Sequence, residues 1–214
     1  SCIHYLNLSN ELYKNQGLAD KQSHVISDIA IAWFYRGNYE LAIRNHLAAL
    51  DLRKATGNKD FISKSLNNIG LVYKARKDYV KAANYYQQSL GIKEAIGDRK
   101  GTVNTLMNLG SMYQSMHKYD SALYFAIRGY KLAKELNLDK DITAFLANQG
   151  DALHNLDREN EAIRFLNKAE ESGIQQNYSQ ALLTVYYAKG NILLKEKQFA
   201  NAEAYYRKGL ELAA

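Results

Sequence analysis

The chain has 214 residues, 47% of them hydrophobic and 23% charged, a balance that supplies a core and excludes an intrinsically disordered polymer. Lys and Arg number 28 against 22 Asp and Glu, so the formal charge is +6; the signs are interleaved along the chain, which excludes a dedicated basic nucleic-acid stripe. With 13 glycines, no proline and 1 cysteine, collagen-like, proline-rich and disulfide-stapled folds are excluded, as is any zinc site built on several thiolates.

From the N-terminal side, the first block carries no basic leader followed by a clean apolar run, so no signal peptide is expected there. The most apolar stretch, Val25 to Tyr35, carries Asp28 and falls short of the about 18 apolar residues that span a bilayer. Beyond it the chain repeats. Ala42, Ala82, Ala122, Ala162 and Ala202 share one phase of a 40-residue period, and Gly70, Gly110, Gly150 and Gly190 share another. A third column holds Tyr39, Tyr79, Tyr119 and Phe199, broken by Glu159, and a fourth holds Trp33, Tyr73, Tyr113, Leu153 and Leu193. A fixed period of this length is the mark of a repeat architecture.

Within one unit, Leu66, Ile69, Gly70 and Tyr73 follow helical spacing, and after a polar break at Arg76, Lys77 and Asp78 the spacing resumes with Tyr79, Ala82, Ala83, Tyr86 and Leu90. The unit is a helical hairpin. It ends at Gly57 or Gly97, or at Asn137 or Asn177 in the equivalent places, where a left-handed residue stops a helix; Asp98 is placed to cap the next. The glycine and alanine columns leave room for the two helices to press together. Because one hairpin cannot bury both faces, hairpins must stack. The expected fold is all-α: a solenoid of antiparallel hairpins with about 11 helices and a concave binding face. Residues 1–20 would be the second helix of a truncated repeat, followed by repeats over 21–60, 61–100, 101–140, 141–180 and 181–214, the whole being a segment of a longer protein.

Leu66-x2-Ile69-Gly70-x2-Tyr73 followed by Ala82-x3-Tyr86, and Leu106-x2-Leu109-Gly110-x2-Tyr113 followed by Ala122, resemble the tetratricopeptide repeat, W-x2-L-G-x2-Y then A-x3-F. The unit is 40 residues rather than 34 and lacks the terminal proline, so the helices gain roughly nine ångströms in total. This resembles the long-repeat subclass found in spindle-orientation adaptors, kinesin light chains and bacterial signalling proteins. The resemblance implies peptide contacts in the column of Asn68, Asn108 and Asn148. The carboxylate-clamp variety, which pairs lysine and asparagine columns, is not reproduced, since Asn67 precedes Leu71 and Met107 precedes Ser111.

Catalytic chemistry finds no support. Cys2 shares the small-residue column of Ala42 and is expected to be a packed structural thiol. His4, His24, His46, His117 and His154 are scattered, with no H-E-x-x-H pair and no expected metal or cofactor. Gly97 and Gly101 fail the phosphate-loop spacing, and Glu170 and Glu171 are adjacent rather than opposed. Most of the 17 tyrosines fall in core columns.

If Leu66, Ile69 and Tyr73 face inward, the opposite stripe of the first helices lines the groove. The candidate peptide-binding residues are Lys64, Asn67, Asn68, Lys74, Asn104, Asn108, Gln114, Asn148, Asp151, His154, Asn191 and Lys195. Asparagine offers donors and an acceptor to a peptide backbone, and the lysines favour an acidic ligand; the same asparagines also suit hydrogen bonds between repeats. The expected role is a non-enzymatic interaction module for a peptide or protein segment, without direct nucleic-acid or membrane contact and with self-association through its end helices. The rival role is a sensor segment of a bacterial signalling or transcription regulator whose output domain lies elsewhere. A cytoplasmic setting is expected, with an extracytoplasmic segment of a membrane-bound regulator as the alternative.

Overall fold

The computed structural model of the protein describes residues 2–213. Among them the chain forms α1 (Cys2–Asn15), α2 (Ala19–Tyr35), α3 (Tyr39–Thr56), α4 (Lys59–Ala75), α5 (Tyr79–Ala95), α6 (Arg99–Ser115), α7 (Tyr119–Glu135), α8 (Asp139–Asn155), α9 (Glu159–Gln175), α10 (Ser179–Lys195) and α11 (Phe199–Ala213). The fold is all-α, of the α-solenoid type. Two compact units divide it, one running to Thr105 and the other starting at Leu106, so that α6 contributes to both. In the first unit α1 packs on α2, α2 on α3, α3 on α4 and α4 on α5; in the second, α7 packs on α8, α8 on α9, and α10 on α8, α9 and α11.

Local chemistry sets the ends. The side chains of Asn38, Asn58, Asp78 and Asp98 accept from the backbone N–H of Leu41, Phe61, Lys81 and Gly101 at 3.1, 3.2, 3.3 and 2.8 Å, satisfying donors that a helix start leaves over. Gly57 and Gly97 take φ 73°, and Asn137 and Asn177 take 54° and 49°, as their place in the period predicts. The turn inside each hairpin also needs the left-handed region. Gly37 supplies it there, whereas Lys77, His117, Asp157 and Lys197 adopt it with φ between 56° and 63° despite their side chains.

Glycine and alanine columns set the interhelical distance. Ala42, Ala82 and Ala162 are fully buried. A Cβ added to Gly70 would sit 2.8 Å from the Tyr86 ring, one on Gly150 would sit 2.6 Å from Leu166, and one on Gly190 would sit 2.5 Å from Tyr206, while Gly110 keeps 3.7 Å of room. Aromatics stack in matching registers, Tyr73 on Tyr85 with centroids 5.5 Å apart and Tyr113 on Phe125 with 5.4 Å.

Between hairpins the first unit uses buried cations. Arg53 on α3 donates from Nη1 to Ser65 Oγ at 2.7 Å and from Nε to Ser23 Oγ at 3.2 Å. Forty residues on, Lys93 donates from Nζ to Thr105 Oγ1 at 2.9 Å and to the Gly101 carbonyl at 3.1 Å. The second unit is apolar at this register: Ala133 replaces the cation and Phe145 replaces the hydroxyl. One expectation is corrected. Cys2 is exposed, because among the described residues α1 packs on α2, whereas α3 and its Ala42 are packed from both sides by α2 and α4.

Candidate ligand-binding surface

The stripe opposite Leu66, Ile69 and Tyr73 emerges as helical geometry requires: Lys64 is exposed, and Asn67, Asn68 and Lys74 are half-buried. In the first unit Lys64 Nζ pairs with Asp60 Oδ2 at 2.7 Å, one helical turn back. Asn67 Oδ1 lies 3.4 Å from Thr105 Oγ1 on the next first helix, so this asparagine serves a contact between repeats. Burial holds the Lys74 ammonium below its ordinary pKa. Asn104 is exposed on α6. A wide hollow of about 670 Å³ spans the hairpin turns from Arg36 to Glu40 together with Arg76, and none of the predicted residues lines it.

In the second unit the predicted residues converge. Asn148 and Asp151 on α8, Gln114 and Ser111 on α6, and Thr184 on α10 line a cleft of about 180 Å³. Ser111, Asn148 and Thr184 continue into a neighbouring hollow of about 270 Å³ that also holds Met107, Asp141 and Tyr178. Gln114 Nε2 donates to Asp151 Oδ2 at 2.5 Å, Asn155 Nδ2 donates to Asp151 Oδ1 at 3.3 Å, and Asn148 Nδ2 is 3.1 Å from Met107 Sδ. Desolvation raises the Asp151 carboxyl to about 6, although both amides favour its charged form. Asn108 is half-buried on α6.

The remaining candidates lie apart from this cleft. Lys195 Nζ bridges Asp157 Oδ1 at 2.5 Å and Glu159 Oε1 at 2.6 Å, and these bonds raise its pKa. His154 Nδ1 stands 3.6 Å from the same Glu159; burial lowers its pKa and the carboxylate partly offsets that. Asn191 Oδ1 accepts from Tyr206 OH at 2.7 Å. Two of the three lysines expected to meet an acidic ligand, Lys64 and Lys195, are thus already held by carboxylates of the chain itself.

Thr184 and Tyr178 were not among the predicted residues. Thr184 falls in the column of Lys64 and Asn104, so the period contained the signal; Tyr178 falls in the helix-cap column of Asn58, where nothing in its type points to a cleft. Among the described residues no helix is long and apolar enough to cross a membrane, and no group of three or more His, Cys, Asp and Glu is placed to hold a metal ion.

Comparison with known proteins follows the same geometry. Family models described as tetratricopeptide repeat match residues 24–95, 102–139, and 144–172 with 183–214. None of the curated proteins matches significantly. Among solved structures, a Rap protein complexed with Competence and Sporulation Factor is similar with a TM-score of 0.73 at 20% identity, the alignment covering 92% of this chain and 54% of that one. The apo form of the quorum sensor NprR from B. thuringiensis gives 0.62 at 18% identity, covering 99% and 70%. A kinesin light chain with nearly identical TPR-like repeats from Podosopora anserina gives 0.70 at 12%, covering 89% and 94%. The chain therefore spans just over half of the Rap protein, and at these identities the likeness shows the fold alone.

Proposed function

We propose that this chain, which belongs to the tetratricopeptide repeat family, is a non-enzymatic interaction module that holds a peptide or protein segment against the polar faces of its first helices. The observation that carries the reading is the cleft lined by Ser111, Gln114, Asn148, Asp151 and Thr184, where three helices bring amides, hydroxyls and a carboxylate to one concavity. Amides at Gln114 and Asn148 suit the alternating donors and acceptors of an extended backbone, and the neighbouring hollow with Tyr178 and Ala144 suits a side chain. Asn68 and Asn108 extend the same chemistry by column.

The test is a pull-down from extract of the source organism with the parent chain beside an Asn68→Ala, Asn108→Ala, Asn148→Ala variant, once circular dichroism and thermal melting show the variant folded. A partner retained by the parent and lost from the folded variant supports recognition by this column. Equal retention by both sinks it and leaves the asparagines as braces between repeats.

The rival reading is a sensor segment that gates an output domain. It is supported by the shared fold of a Rap protein solved with Competence and Sporulation Factor and of the quorum sensor NprR. A partner set that includes a second copy is supported by the exposed stripe Tyr5, Leu8 and Leu12 on α1, at 70%, 56% and 53% accessibility. Leu8→Lys should then lower the weight-average mass in analytical ultracentrifugation.

A further inference from the structure

We infer that Asp151 is the anchor for a cationic side chain, so that the segment bound in this cleft carries a lysine or arginine there. The inference rests on the interaction-module reading above and specifies its ligand. Asp151 projects from α8 into a cleft whose other lining residues, Ser111, Gln114, Asn148 and Thr184 among them, are all uncharged. Its oxygens are met only by the amides of Gln114 and Asn155, and among the described residues no cation pairs with it. A carboxylate taken out of water with amides alone is poorly compensated, and a cation arriving with its own charge supplies what the fold leaves out. The upward pull of burial on this carboxyl agrees.

Size and surroundings narrow the occupant. At about 180 Å³ the cleft lies below the roughly 300 Å³ where sites for whole small molecules begin, and it suits one side chain. The adjoining hollow shares Ser111, Asn148 and Thr184 with it, so the chain bearing that cation continues past the amides rather than ending at them. Asp141, also a carboxylate, lines this second hollow, but the Lys140 ammonium stands 5.9 Å from the centroid of the Tyr178 ring there, so the charge that selects a basic segment is that of Asp151. This reverses the ligand charge that Lys64 and Lys195 suggest from sequence, both of which are spent on carboxylates of the chain.

The test pans a displayed library of random heptapeptides against the whole chain, against Asp151→Asn, and against Thr184→Lys, whose ammonium is placed to fill the cleft from α10. Melting curves first establish that both variants fold. Peptides enriched in lysine or arginine by the parent, and weakened about tenfold to a hundredfold by either variant and by norleucine in place of the basic residue, are the expected result. Peptides without basic enrichment, or bound equally by Asp151→Asn, overturn the cation anchor while leaving the module reading intact. Failure of the parent to select any peptide overturns both.

Discussion

Phe145 on α8 lies so close over Gly129 on α7 that a Cβ at position 129 would stand 2.1 Å from the ring Cζ. Phe145 is almost wholly buried, and Ala133, one turn further along α7, is fully so. The same register in the first unit holds Ser89, Lys93 and Thr105, in which a polar bracket does what the ring does here. Gly129→Ala should therefore destabilise the chain by about 1–3 kcal/mol through overpacking. Adding Phe145→Val, the residue type found at the equivalent Val185, should recover part of the loss. Urea denaturation of the single and double variants reads both, and a neutral Gly129→Ala would mean that the ring moves aside at little cost.

Lys93 is buried at 4% accessibility, and its ammonium is held by Thr105 and a backbone carbonyl rather than by water. Burial lowers its pKa, with Asp98 pulling the other way. Lys93→Ala removes both the bonds and the apolar stem and should cost about 1–3 kcal/mol. Lys93→Met keeps the stem and should cost less, because replacing a buried charge by a hydrophobe of similar shape is often near neutral. Thermal melts that rank Met below Ala in stability would contradict the packing account.

Asp151 gives stability a pH dependence of known sign. Its folded pKa, about 6, exceeds the unfolded value of 3.8, so the native state binds more protons between them. Its contribution is most favourable below about pH 4 and is lost as pH rises through 6. Asp151→Asn, which cannot ionise, should be more stable than the parent at pH 7.5, by an amount on the order of 3 kcal/mol at most, with the difference shrinking toward pH 4. Melting both proteins across that range isolates the group, since other titrations are common to the pair. A difference that does not change with pH would show that Asp151 stays solvated.

Lys77 and His117 hold left-handed backbone at the place where Gly37 stands in the first complete hairpin. Lys77→Gly should stabilise the chain by up to about 1 kcal/mol, the relief of Cβ strain being offset in part by the entropy of an unfolded glycine. A melting temperature raised by about 2–4 °C is the readout. The converse change, Gly97→Ala at φ 73°, should lower it.

The 40-residue period made the helices, the hairpin stops at Gly57, Gly97, Asn137 and Asn177, and the close approach of the two helices at the Gly70 and Ala82 columns legible in advance, because steric columns repeat. Substitution inside a column was not. Nothing in the type of Arg53 or Lys93 points to burial, since charged residues are rarely buried unless paired, and only their hydroxyl partners 12 residues later disclose the bracket. The exchange of that bracket for Gly129, Ala133 and Phe145 is a joint change at three positions, invisible to a test of one column at a time. Asp151 was recognised as lining the stripe, but its isolation from cations depends on what α6 and α10 bring beside it. Lys195 misled for the same reason, since Asp157 reaches it only once the backbone is placed, whereas the Asp60–Lys64 pair, four residues apart on one helix, was legible in the sequence.

The links between successive helices, residues 36–38, 57–58 and 76–78 among them, are never longer than three residues among the described residues. Helices that touch are therefore near neighbours along the chain, with α8 and α10 as distant as any such pair. Loop closure then adds little to the entropy of assembly, and any one hairpin is able to nucleate its neighbours. Unfolding under native conditions should proceed hairpin by hairpin within each compact unit. Amide hydrogen exchange should accordingly show protection that changes in steps from one hairpin to the next, so that each unit melts as a zipper opens rather than as a single sphere collapses.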